Sequence, residues 1–262
     1  MRPETGLRIT WLGHASTVLD LDGARVLTDP LLRRHAGLLR RRGAAPLATR
    51  WEDPDAVLVS HLHHDHAELG SLRLVRDAPV LSAPANAAWL RRRGVPGARG
   101  LPPGRWWEAP GTGVRVRTTR AVHGERPMPH RPNAATGFLV SGPSATVWFA
   151  GDTGPFPEMA DLAEEAGRPI DVALVPVGGW GPRLSGGHLG PVEAARACAI
   201  VGASYAVPIH WGTLHAPAAR GLPPGWMERA GRAFAVALER WAPGCTALVL
   251  DPGGSVDVAP HV

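Results

Sequence analysis

Apolar positions fall into short runs broken by turn residues, and their spacing changes along the chain. Residues 7–12 and 17–21 carry β-favouring runs, and Asp22-Gly23 ahead of residues 24–28 is the signature of a hairpin with a tight turn. Residues 56–60 (AVLVS) form a continuous apolar run, the pattern of a strand buried on both faces. Helices are predicted over 69–75 and 85–93, around a strand at 79–82. Arg91, Arg92 and Arg93 fall near the second helix's C-terminus, where cations are favoured. The second half repeats this grammar, with strands at 114–118, 137–140, 146–150, 172–177, 205–209 and 246–250 and helices at 157–166, 192–200 and 226–241. Residues 33–50 break the regularity. Arg33, Arg34, Arg40, Arg41 and Arg42 interleaved with leucine and glycine predict an exposed loop or a short basic amphipathic segment rather than a strand.

The mixture of strands and helices, with no linker or repeat, predicts one α/β domain over residues 1–262. At 44% apolar residues the chain can bury a sizeable core, which excludes a disordered protein. No run approaches the roughly 18 to 20 apolar residues of a membrane helix, and the N-terminal residues lack the apolar centre of a signal peptide; a soluble cytoplasmic protein is expected. All 28 basic residues are arginine, against 23 acidic ones, a bias that genome composition explains. The formal charge of +5 therefore gives no ground for a nucleic-acid partner. Cys198 and Cys245 form no CxxC pair and no disulfide framework, so any metal must be held by histidine and carboxylate.

Four of the 12 histidines lie within six residues, in HLHHDH from His61 to His66, directly after the apolar run. A rigid strand that ends where imidazoles and a carboxylate begin is a good place for zinc or a neighbouring first-row ion. In extended chain His61 and His63 point the same way, Asp65 and His66 lie in the following turn, and His64 points away as a surface or packing residue. The cluster can serve two ions; a solvated histidine run is the plain alternative. His14 follows a strand, near the site or as a satisfied structural histidine. Trp180 and Trp211 fall in loops beside proposed site residues.

The residues TWLGHAST, LTDP, AVLVSHLHHDH, WWE, AGDTG, HLGPVEAA and PIHWGT, in this order over most of the chain, resemble the metallo-β-lactamase superfamily. The branch they resemble more closely holds N-acyl-phosphatidylethanolamine phospholipase D and the UlaG-type lactonases. The resemblance implies an αββα sandwich with a dinuclear site at one edge. By position, His61, His63 and His123 hold one divalent ion, Asp65, His66 and His210 the second, and Asp152 bridges both, with His130 the competitor of His123. The ions implied are zinc first, or manganese, iron or nickel. Asp29 supports the metal-binding loop, and a bridging hydroxide attacks a phosphodiester or another small ester, anionic if the arginine segment lines the entrance. Asp65 can also orient the nucleophile, and His188 contacts the reacting group or protonates the leaving oxygen. A lactonase and a non-catalytic metal-binding protein on the same fold are the alternatives; a nuclease is set aside, and self-association is left open.

Overall fold

The structure, a computed structural model, describes residues 2–124, 131–184, 186–221 and 223–259. The first half contributes β1 (Leu7–Gly13), β2 (Ser16–Leu21), β3 (Ala24–Thr28), the short β4 (His35–Ala36) and β5 (Leu39–Arg41), β6 (Ala56–Leu58), α1 (Leu69–Leu74), β7 (Val80–Ser82), α2 (Pro84–Arg92) and β8 (Ala98–Gly100). The second half opens with β9 (Trp106–Glu108), β10 (Arg115–Arg120), β11 (Thr136–Ser141), β12 (Thr146–Phe149), α3 (Leu162–Ala166), β13 (Val172–Pro176) and α4 (Pro191–Val201). It closes with β14 (Tyr205–Ile209), β15 (Leu214–His215), α5 (Trp226–Trp241), β16 (Thr246–Ala247) and β17 (Ser255–Val258).

Among the described residues two seven-stranded sheets form, in the orders β17-β1-β2-β3-β6-β7-β8 and β16-β14-β13-β12-β11-β10-β9. Period-two alternation explains how they stack. In β12, Val147 and Phe149 enter the cluster between the sheets, while Trp148 turns outward to the layer of α3, α4 and α5. In β1, Leu7, Ile9 and Trp11 face the same centre, and Val57 of β6 faces outward with Leu72 of α1 and Leu90 of α2. Both faces of each sheet are covered, so the strands read as continuous apolar runs, and the layers are α, β, β, α as expected. Helix ends follow local chemistry: Pro84 and Pro191 open α2 and α4, and Gly202, at a left-handed φ of 69°, closes α4.

β3, β6, β7 and β8 run parallel, as do β12, β13, β14 and β16. The ends of β3, β6, β12 and β14 lead directly into Asp29, His61, Asp152 and His210, which gather at one edge of the sandwich. Open parallel sheets place their sites at such carboxyl ends.

Several expectations change. Residues 33–50 are not a strandless loop, because β4 and β5 pair with each other and β5 pairs with β15. Arg41 is not a surface charge: it is 6% exposed and its guanidinium donates to the carbonyls of Leu12 (2.8 Å) and Leu31 (2.5 Å). Burial pushes its pKa down to about 10, which leaves it charged at neutral pH. Arg42 is engaged by Glu228, while Arg33, Arg34 and Arg40 remain exposed. Residues 157–166 begin as a 3-10 turn, and only Thr246–Ala247 of the 246–250 run joins the sheet. No helix among the described residues is long and apolar enough to cross a membrane.

Arg41→Ala would strip two buried carbonyls of their donor. A loss of about 2–4 kcal/mol is expected, read as a lower denaturant midpoint at unchanged m-value. A midpoint within error of the parent would mean that the carbonyls find other partners.

Candidate metal centre

Ser60 follows β6 with its N–H on Asp29 Oδ1 (2.7 Å) and its hydroxyl on Asp29 Oδ2 (2.5 Å). These bonds fix where the histidine segment leaves the sheet. A turn then brings His66 back, its N–H on the His63 carbonyl (3.1 Å), so that His66 Nδ1 meets Asp29 Oδ2 at 2.7 Å. Asp29 thus has the supporting place that the resemblance implies. From the second sheet, β12 runs into Gly151 at a φ of 61°. A β-carbon there would stand 2.8 Å from Ser60 Cβ and 3.0 Å from the Thr136 carbonyl, so only glycine lets Asp152 approach the histidine segment. His14, Asp29 and His210 also hold left-handed backbones, with φ of 56°, 30° and 64°. Non-glycine residues pay for that conformation and concentrate at functional sites.

The donors converge in two groups. His61 Nε2 and His123 Nε2 lie 2.9 and 3.1 Å from His63 Nδ1. His66 Nε2 lies 3.0 Å from His210 Nε2, and Asp65 Oδ2 lies 3.7 and 3.5 Å from the same two atoms. Asp152 Oδ2 reaches both groups, at 3.2 Å from His66, 3.3 Å from His210 and 4.0 Å from His61. His188 Nε2 lies 3.2 Å from the same oxygen, with its ring edge-on to His123. Every proposed ligand is therefore in the cluster. His64 is exposed beside Arg131, as its facing direction implied, and His130 falls outside the described residues. Trp211, half-buried, packs against the core, stacked on Trp11 at 5.3 Å, and Trp180 is half exposed.

Hydrogen bonds behind the rings decide which nitrogens face inward. His66 Nδ1–H donates to Asp29, His210 Nδ1–H to the Gly178 carbonyl (2.8 Å) and His123 Nδ1–H to the Gly187 carbonyl (3.0 Å). Each Nε2 then turns its lone pair toward the centre, the arrangement that metal-ligating histidines use. Two lone pairs facing at 3.0 Å repel unless a cation or proton lies between them. Burial pushes the pKa of His61 well down and that of His63 down to about 4, favouring their neutral, ligating forms. Burial also opposes charge on Asp65, Asp152 and His66, but the histidines hold both carboxylates well below their usual range. Led by Asp152, the carboxylates raise His66. Asp152 Oδ1 is buried with no hydrogen-bond partner. Buried carboxylates, inward lone pairs and an orphaned oxygen fit a divalent cation.

Supporting residues that carried no signal in the sequence complete the shell. Ser60 accepts at 3.0 Å from His61 Nδ1, and Asn133 Nδ2 stands 3.2 Å from His63 Nε2, 70 residues away in the chain.

Residues 24–211 match the family described as Beta-lactamase superfamily domain. A UPF0173 metal-dependent hydrolase of Nitratidesulfovibrio vulgaris is 32% identical over 267 residues, covering 95% of this chain and 94% of that one. N-acyl-phosphatidylethanolamine-hydrolyzing phospholipase D 1 of Caenorhabditis elegans is 30% identical over 232 residues. That match takes in 80% of this chain but only 65% of the worm protein, less than two thirds of its length. Igni18, a metallo hydrolase of Ignicoccus hospitalis, has a similar fold, with a TM-score of 0.74 at 20% identity over 97% of this chain and 99% of that one. With the αββα layers and the histidine-carboxylate cluster at their edge, these likenesses mean that the chain belongs to the metallo-β-lactamase superfamily, as one of its metal-dependent hydrolases.

Proposed function

We propose that the chain hydrolyses a phosphodiester or another small ester at a site for two divalent ions. The observation that carries this reading is Asp152, which lies between the two donor groups with one oxygen on the histidines and the other unpartnered. His61, His63 and His123 would hold one ion, Asp65, His66 and His210 the other, and Asp152 would touch both. Nitrogen and oxygen donors without thiolate suit zinc first, with manganese, iron or nickel as alternatives. When bound, a pair of divalent ions brings the pKa of a water near neutrality and polarises the group under attack.

The residues divide the remaining work. Asp65, ionised and fixed by His14, is placed to accept a hydrogen bond from the attacking water and so to orient it. His188, with 14% of its side chain exposed against 3% for Asp152, would donate a proton to the leaving oxygen. The worm relative is named for hydrolysing N-acyl-phosphatidylethanolamine, a phosphodiester, which supports that electrophile over a lactone.

Metal analysis and turnover on one preparation test the reading. Purified or zinc-reconstituted protein is expected to carry close to two equivalents and to hydrolyse bis(p-nitrophenyl) phosphate. Chelation should abolish both, and added metal should restore both. Metal content that stays near zero after reconstitution would sink the two-ion site. Turnover of a lactone panel with no cleavage of the phosphodiester would move the assignment to a lactonase.

A further inference from the structure

His14 sits in the turn between β1 and β2, fully buried, with a left-handed backbone that its surroundings enforce. Its N–H donates to Thr213 Oγ1 (2.7 Å), and its carbonyl accepts from Trp11 Nε1 (2.9 Å) and from the His210 N–H (2.8 Å). The ring centroid lies 4.0 Å from that of His210 and 5.4 Å from that of His66, and Nε2 stands 2.9 Å from Asp65 Oδ2. An ionised carboxylate can only accept, so Nε2 carries the hydrogen and donates it. Nδ1 then carries the lone pair, buried and without a hydrogen-bond partner, so the bond to Asp65 alone sets the tautomer.

One residue thus touches all three donors of the second group: Asp65 by a hydrogen bond, His210 by backbone and ring, and His66 by ring. We infer that His14 is a positioning residue that sets the affinity of the second ion, by holding the Asp65 carboxylate in its ligating orientation before the ion arrives. This inference rests on the two-ion reading. It makes the two positions unequal, because loss of His14 loosens one ligand group and leaves His61, His63 and His123 as they were. Removing such an outer partner of a ligand lowers metal affinity by about 10- to 100-fold.

The test compares His14→Asn with His14→Gln. Asparagine tolerates a left-handed backbone but is too short to reach Asp65, whereas glutamine places an N–H near the position of Nε2. Metal-free proteins are titrated with zinc against a chromophoric chelator, and bound equivalents are counted by native mass spectrometry. Wild type is expected to bind two ions. His14→Asn should bind the first with unchanged affinity and the second about 10- to 100-fold more weakly, and His14→Gln should return the second close to wild type. Two ions bound with native affinity by His14→Asn would overturn the inference alone, as would equal weakening of both ions or a glutamine variant no better than asparagine. A wild-type chain that binds a single ion would overturn the two-ion reading and this inference with it. Nitrogen-15 spectra of the wild-type histidines give a measurement that needs no variant. The His14 ring should stay protonated at Nε2 with zinc bound; a metal-bound Nε2 would make His14 a ligand and overturn the positioning role.

Discussion

Asp152→Ala is expected to lower kcat/KM by about a thousandfold or more and to reduce bound metal at both positions. Its carboxylate reaches both donor sets, and without it the inward lone pairs of His66 and His210 lose one of the two carboxylates they share. A divalent ion contributes several kcal/mol to the stabilisation of developing charge, and each 1.36 kcal/mol is a factor of ten in rate. Losing properly held ions therefore costs about three orders of magnitude. The check is kcat/KM on bis(p-nitrophenyl) phosphate beside metal counts by mass spectrometry, with exposed His64→Ala as a control that keeps both. An Asp152→Ala variant with two equivalents of metal and turnover within tenfold of wild type would remove Asp152 from the bridging role. A His64→Ala variant as damaged as Asp152→Ala would mean that the facing directions along the histidine segment are misassigned.

His188→Ala is expected to do something different: kcat falls about 10²- to 10⁴-fold while the metal content stays at its wild-type level. The ring reaches Asp152 Oδ2 at 3.2 Å and stands edge-on to His123, close enough to both to be weighed as a ligand. It is also less buried than Asp152. As the proposed proton donor it would act on the leaving oxygen, so its loss would appear in kcat. Normal kcat with raised KM would make His188 a binding residue, and loss of one equivalent of metal would make it a ligand.

Much of this was legible in the sequence, for reasons that particular elements make plain. The boundaries of β3, β14 and α5 match the expected 24–28, 205–209 and 226–241, because turn residues or a shift from period two to period 3.6 punctuate each of them. The residues that gather in the cluster could be picked out because His61, Asp152 and His210 come close after apolar runs. What escaped was set by contacts far along the chain. β17 is a short edge strand whose partner, β1, lies at the other end of the molecule, and its exposed polar residues look like a tail. β8 reads Ala-Arg-Gly, which has no strand signature until β7 supplies its hydrogen bonds. Arginines made residues 33–42 look solvated, yet Arg41 turns inward because two backbone carbonyls need a donor there. Ser60 and Asn133 could not be found for a related reason. A hydroxyl or an amide acquires its role only from the histidine that folding brings to it.

The way the donors are distributed along the polypeptide has a consequence for assembly during synthesis. The contact between His63 and His123 closes a span of 60 residues, and the one between His66 and His210 closes a span of 144. A ribosome releases the first group of donors once β10 has emerged, and the second only after β14 has left the exit tunnel. Each group takes residues from the ends of both sheets, so an ion bound at either would act as a late cross-link between them. It lowers the chain entropy of any state in which the halves have separated, and in this way couples their unfolding.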